Sequence, residues 1–117
     1  MKSMEAEKNK NGYANHETWA VCLWLENDEE SWGYWIGAAK EATEEAATCW
    51  QVRDRIWESR RAPASLLAMR LEGEITEGMP ELGAGLYSKL LGSALYEVEW
   101  HEVAEAILEA EFWSQAF

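Results

Sequence analysis

Cysteine is scarce in this sequence, and its scarcity argues against one class of small protein. The 117 residues include two cysteines, Cys22 and Cys49, whereas a small secreted scaffold held together by disulfides usually carries more. Both stand in apolar helical patterns, beside Leu23 and Trp50. We therefore predict that the cysteines are small buried hydrophobic side chains rather than a disulfide pair.

Basic residues and long apolar runs are also lacking. Ten Lys and Arg stand against 22 Asp and Glu, which gives a formal net charge of -12. Binding to nucleic acid or to an anionic membrane needs a surplus of basic charge, so both are disfavoured. No apolar run approaches the roughly 20 residues that span a bilayer, and the opening MKSMEAEKNKNGYAN lacks the apolar segment of a secretory signal. We expect a cytoplasmic protein, in whatever cell makes it.

Tryptophan, in contrast, is abundant. Eight of the residues are Trp and 48% are hydrophobic, and a single domain of this length can bury a real core. Residues 1–12 are polar and end in Asn11-Gly12, which predicts a flexible tail followed by one helical domain over 13–117. Eight tryptophans exceed what one small core easily holds, so at least one or two are expected at an interface.

Apolar residues recur at helical spacing through most of the chain, and no segment alternates convincingly like a strand. Asn15 is placed to cap a first helix, and Asp28 or Ser31 a second, which either continues past residue 48 or breaks there. Pro63 suits the first turn of a helix that ends near residue 77. Two more are predicted over about 81–96 and 100–111. The sequence thus predicts an all-α fold, a compact bundle of four to six helices.

The same pattern predicts which side chains form the core. Three tryptophans are expected to be largely buried: Trp19, Trp35 and Trp100. The last helix is expected to turn Val103, Ile107 and Ala110 inward. The glycines of segment 81–96 are unfavourable in a helix by roughly 1 kcal/mol each relative to Ala, and we predict that they allow close contact between helices instead.

Recognisable catalytic and cofactor motifs are missing. The sequence has no Gly-rich phosphate loop, no nucleophile elbow and no zinc-ligand spacing. His16-Glu17 and His101-Glu102 each lack the second His of a metalloprotease helix, so they would bind a metal only if the fold brought the two dipeptides together. Among 20 glutamates, some pair is always close, which says nothing about acid–base catalysis. We predict no enzyme activity, no cofactor and no metal.

Acidic residues dominate the second half of the chain. Residues 62–117 carry ten acids and two bases, although helices usually mix both signs because like charges one turn apart repel. Acids that repeat every ~5 Å along a helix present a phosphate-like field to a basic groove. The alternative is that the acidic surface only keeps the protein in solution and binds no partner. The candidate partner-binding acids are Glu97, Glu102, Glu105, Glu109, Glu72, Glu74 and Glu77.

Two segments resemble a family of small uncharacterised phage and plasmid proteins. Asn15-His16-Glu17-Thr18-Trp19, continuing through Leu23-Trp24 to Asn27-Asp28-Glu29, looks like that family's Asn-Tyr-Glu-Thr-Trp opening, and residues 94–105 look like its C-terminal segment. Together they cover about a quarter of the chain. His16 stands where the family has Tyr, and residues 51–80 match nothing we can name. The resemblance implies a mobile-element setting, in which small acidic proteins often resemble anti-restriction or anti-CRISPR inhibitors.

The motif also has a purely structural interpretation. Asn15 caps the helix, Glu17 favours its positive end, and Trp19, Trp24 and Trp100 anchor it to its neighbours, so that the core joins the two ends of the chain. The alternative is that the motif forms a binding surface.

The leading functional prediction is an acidic inhibitor that blocks a host defence nuclease complex, a protein or a ribonucleoprotein, by nucleic-acid mimicry. Its glutamates would pair with the Lys and Arg that normally hold phosphates, without contacting nucleic acid or membrane itself. The alternative is a helical protein–protein adaptor, with a homodimer as one form, which uses exposed tryptophans and keeps its acids for solubility. Ionic strength separates the two, because an aromatic interface is less sensitive to salt.

Overall fold

Five helices make up the part of the chain that the structure, a computed structural model, describes: residues 12–48 and 61–110. They are α1 (His16–Asn27), α2 (Glu29–Ala47), α3 (Arg61–Glu77), α4 (Leu86–Glu97) and α5 (Trp100–Leu108). No strand occurs within these ranges, so the predicted all-α fold is confirmed. The predicted tail, apart from Gly12, and the chain between Thr48 and Arg61 lie outside the described residues, as do Cys49 and Glu111.

Side chains cap the first two helices. Asn15 Oδ1 accepts a hydrogen bond from the Thr18 amide at 2.8 Å, which satisfies one of the donors that a helix start leaves without a partner. The Asp28 amide donates to the Trp24 carbonyl at 3.0 Å, while its Oδ2 accepts from the Ser31 amide at 3.0 Å. Asp28, rather than Ser31, therefore both closes α1 and starts α2.

Helix α3 lies at the centre of the core and packs against α2 and α5. Its buried residues recur at three- and four-residue spacing, as one face of a helix requires: Ala64, Leu67, Ala68 and Leu71. Helix α5 buries Trp100, Val103, Ala104, Ile107 and Leu108 in the same way. Helix α2 contributes mainly alanines, Ala38, Ala39, Ala42 and Ala46. Because their side chains are small, α2 can lie close to its neighbours.

The described tryptophans divide between core and surface. Trp35 and Trp100 are 5% and 8% exposed, as predicted. Trp19, which was also expected to be largely buried, is only partly buried. Trp24 is 60% exposed, so the prediction that it anchors α1 is wrong. The reason is its position on the helix, since the buried α1 residues define a face from which Trp24 is turned by roughly a third of a turn.

The segment before α4 corrects two further predictions. Gly83 and Gly85 have φ of 71° and 141°, in the region that only glycine enters readily, so the helix begins at Leu86 rather than near Glu81. A Cβ placed on Gly83, Gly85 or Gly92 would meet no atom within 4 Å. The predicted close helix contact at these glycines is therefore wrong.

The α-helical part of α5 ends at Leu108, and Glu109 and Ala110 continue it in a π-helical turn. Ala110, which was expected to face inward, is exposed, so that prediction is wrong. Among the described helices, none combines the length and apolar composition that crossing a bilayer requires.

Candidate functional site

The two segments that carry the sequence resemblance meet in the fold. Three hydrogen bonds join them: Asn15 Nδ2 to the Glu97 carbonyl at 2.7 Å, the Glu99 amide to Thr18 Oγ1 at 2.9 Å, and the Ala14 amide to Glu102 Oε1 at 3.0 Å. We call these residues the junction. Thr18 is fully buried, and its hydroxyl accepts the Glu99 amide in a partly buried hydrogen bond. The junction gives Asn15 and Thr18 a structural role and ties together chain segments more than 80 residues apart.

The junction also places the two His-Glu dipeptides in one region of the molecule. The exposed His16 ring lies 5.3 Å from the Trp19 ring. His101 Nδ1 lies 3.5 Å from Glu105 Oε2. Over residues 12–48 and 61–110, no group of three or more His, Cys, Asp or Glu side chains is arranged to hold a metal ion.

Cys22 is the described thiol, and it lies inside the core. It is 4% exposed and in hydrogen-bonding contact with the Tyr13 hydroxyl. The pKa of the Cys22 thiol is raised to about 11 and the pKa of Tyr13 to about 12, in each case mainly by burial, with smaller contributions from the nearby carboxylates of Glu26 and Glu102. Because the thiolate is the nucleophilic form, Cys22 is a packing residue at neutral pH, as the sequence predicted.

Arg70 ties the surfaces of α2 and α3 together. Its guanidinium donates to Glu41 at 2.7 Å, to Glu74 at 2.9 Å and to the Tyr34 hydroxyl at 3.1 Å. The Tyr34 hydroxyl in turn donates to Glu74 at 2.7 Å. Hydrogen bonds from Tyr34 and Arg70 lower the pKa of the Glu74 carboxyl. Both oxygens of Glu74 are thus occupied within the chain.

The seven candidate acids do not form one free row. Glu102 accepts the Ala14 amide, Glu74 is paired with Arg70, and Glu105 is partly buried beside His101. The other four are exposed and lie on three different parts of the fold: Glu72 and Glu77 on α3, Glu97 at the end of α4, and Glu109 after α5. The exposed candidate carboxylates are therefore isolated from one another and do not form a phosphate-like row along one helix face.

An apolar groove opens beside Trp24, between α1, α2 and α3. Its volume is ≈ 390 Å³, and we call it the Trp24 groove. It is lined by Ala20, Val21, Trp24, Leu25, Ser31, Trp35 and Ile75. Ser31 is the one polar side chain in this lining, and the exposed Trp24 ring forms an edge that a partner can contact.

The charge around the Trp24 groove is of one sign. Glu17, Asp28 and Glu72 each lie within one helical turn of a lining residue, and no Lys or Arg stands within four residues of any lining residue along the sequence. The nearest bases in sequence are Lys40 and Arg70, and Arg70 is already paired with two carboxylates. The groove therefore combines an apolar lining with an acidic surround, which is complementary to an apolar segment flanked by positive charge.

Trp24 was identified from the sequence but was expected in the core, and Ile75 was not predicted as a neighbour of Trp24. The excess of tryptophans was the only feature of the sequence that pointed to an exposed Trp, because nothing in the sequence indicates that α3 lies beside α1. No family model, curated protein or solved structure matches the chain. The resemblance to phage and plasmid proteins stays a prediction.

Proposed function

We propose that this chain is a non-catalytic protein-binding module whose Trp24 groove takes the apolar side chains of a basic amphipathic helix of another protein. The observation that carries the proposal is Trp24 itself, 60% exposed at the edge of an apolar groove of ≈ 390 Å³. Exposed tryptophans beside preformed apolar pockets are the residues that most often dominate a protein interface.

The geometry of the groove favours a helix as the occupant. Three helices form its walls, and an amphipathic helix enters such a groove with side chains at i, i+3 or i+4 and i+7. The carboxylates of Glu17, Asp28 and Glu72 would then face Lys or Arg on the flanks of the bound helix. The apolar contacts then supply most of the affinity, while the acids orient the bound helix and increase its association rate.

A second candidate function is the acidic inhibitor predicted from the sequence, which blocks a host defence complex of the anti-CRISPR or anti-restriction type by imitating nucleic acid. It is favoured by the net charge of -12 and by the exposure of Glu72, Glu77, Glu97 and Glu109. It ranks second because Glu74 and Glu102 are engaged within the chain. It also assigns no role to the exposed Trp24.

Two labelled synthetic peptides separate the candidates. One is an amphipathic helix of Leu and Lys, and the other has the same Lys residues with Ser in place of every Leu. Fluorescence anisotropy with the full chain measures both affinities. We expect the Leu peptide to bind and the Ser peptide to bind far more weakly. Trp24→Lys should weaken the Leu peptide by about 30-fold, the ~2 kcal/mol of a binding hot spot.

Met69→Lys is the matched control, since Met69 is 68% exposed on α3 and is not part of the groove lining. It makes the same change in net charge and should leave the affinity almost unaltered. Equal binding of the two peptides, lost together at high salt, would favour mimicry by the acids instead. Binding of the Leu peptide that survives Trp24→Lys would place the contact elsewhere.

A further inference from the structure

Helix α4 leaves an apolar face without a partner among the residues that the structure describes. None of its twelve residues is buried, and Leu86, Tyr87, Leu90 and Tyr96 are 67%, 72%, 57% and 87% exposed. Leu95 is the α4 side chain that packs against the core. Leu86 and Leu90 lie on the side of α4 turned away from Leu95, so the outward face of α4 is a surface for contact.

The charge pattern of α4 differs from that of the rest of the molecule. Residues 82–96 contain one charged side chain, Lys89, and Glu97 follows at the end of the helix. Two copies of a chain with net charge -12 repel each other over most of their surfaces, whereas at α4 each copy meets a nearly neutral apolar surface. The face is therefore suited to a second copy.

Lys89 and Glu97 also determine the direction of such a contact. They are opposite in sign and eight residues apart on one helix, about 12 Å at the rise of an α-helix. An antiparallel arrangement about a twofold axis near Ser93 places Lys89 of each copy beside Glu97 of the other. Ser93 falls at the axis, and because its side chain is small, the helices can approach closely there.

We infer that α4 pairs with α4 of a second copy in an antiparallel twofold contact, with Leu90 near its centre and two reciprocal Lys89–Glu97 ion pairs. The interface is self-complementary, as a twofold contact requires. Tyr87 and Tyr96 are nine residues apart and so lie on opposite sides of α4, where they flank the exposed Leu86 and Leu90. The contact is independent of the Trp24 groove, which lies on other helices.

Sedimentation velocity of the full chain over a wide range of protein concentration tests the pairing. We expect a species of twice 13.4 kDa that dissociates on dilution. Leu90→Glu should give the monomer at every concentration with its helical circular dichroism unchanged, because Leu90 is more exposed than buried. Met69→Glu, an equally exposed position on α3, is the matched control and should leave the dimer intact, as should Trp24→Lys.

Charge reversal tests the antiparallel register and uses only exposed side chains. Lys89→Glu and Glu97→Lys should each weaken self-association, because each places two like-charged pairs across the axis. An equimolar mixture of the two variants should restore the dimer, since every pair in the mixed species is again opposite in sign. A wild-type chain that stays monomeric, or a dimer that Leu90→Glu leaves unchanged, would overturn the contact. A mixture no more associated than its components would overturn the antiparallel pairing.

Discussion

Helices α4 and α5 follow one another in the chain but differ in what they bury. Of the nine residues of α5, five are buried, whereas α4 buries none of its twelve. Both are rich in apolar residues. In α5 those residues are concentrated on one face, while in α4 they are spread over more of the circumference, so packing on one side leaves others exposed. The arrangement of apolar residues, rather than their number, separates the helix that belongs to the core from the helix that offers a surface.

The largest expected effect falls on the α5 side of this comparison. Trp100→Ala removes a ring that is 8% exposed and should lower the free energy of unfolding by about 3–5 kcal/mol. Trp24→Ala removes the same side chain from a position that is 60% exposed and should cost less than about 1 kcal/mol. Urea unfolding followed by circular dichroism measures both. Equal losses would erase the distinction between core and surface tryptophans.

Alkaline pH should weaken the same core through Cys22. The folded protein raises the pKa of this thiol from 9.0 to about 11, so folding favours its protonated form. The resulting stabilisation, about 2–3 kcal/mol at 1.36 kcal/mol for each pKa unit, is complete below pH 9 and is lost as the pH rises towards 11. Unfolding curves at pH 8 and pH 11 should differ more for the wild type than for Cys22→Ala. An identical pH dependence in the two would contradict the assigned burial of the thiol.

The junction between α1 and the start of α5 should show a smaller effect. Thr18→Val keeps the shape of a fully buried side chain but leaves the Glu99 amide without its acceptor, which should cost about 1–3 kcal/mol. Thr76→Val, at an exposed position on α3, is the matched control and should change stability by less than about 0.5 kcal/mol. Similar values for the two variants would remove the structural role assigned to Thr18.

The smallest expected effect sharpens the description of α4. Gly92 lies in a helix with open space where a Cβ would stand, so Gly92→Ala should stabilise the protein by about 0.5–1 kcal/mol. Gly85→Ala should destabilise it, because Gly85 has a φ of 141° that Ala adopts only with strain. Thermal unfolding at a concentration below self-association compares them. A destabilising Gly92→Ala would mean that the helix is packed there after all.

Much of the fold could be predicted because local signals agree with it. Asn15, Asp28 and Pro63 lie at helix starts as predicted, and the spacing of Trp100, Val103 and Ile107 matches their burial. The predictions failed where tertiary placement decides. The spacing of apolar residues predicted that α4 begins near residue 81. It gave the wrong start because the glycines that precede Leu86 have positive φ angles, which the spacing does not reveal.

The candidate site was less predictable than the fold. The prediction of an acidic row did not include the hydrogen-bond partners that distant segments supply. The Ala14 amide donates to Glu102 from 88 residues away, and Arg70 donates to Glu41 on another helix. Trp24 was placed in the core because sequence alone does not give the angle at which α1 packs. The Trp24 groove needs Ile75 from α3, a juxtaposition that only the assembled fold provides.

We propose that the partner-binding surface is the Trp24 groove and not the exposed acids. Two-dimensional amide NMR of the labelled full chain, titrated with the amphipathic Leu-Lys peptide, tests it most directly. We expect the largest shifts at Ala20, Val21, Ile75 and the Trp24 indole N–H, with Glu105 and Glu109 nearly unchanged. Shifts concentrated at Glu72, Glu77, Glu97 and Glu109, with the Trp24 indole unmoved, would contradict the account.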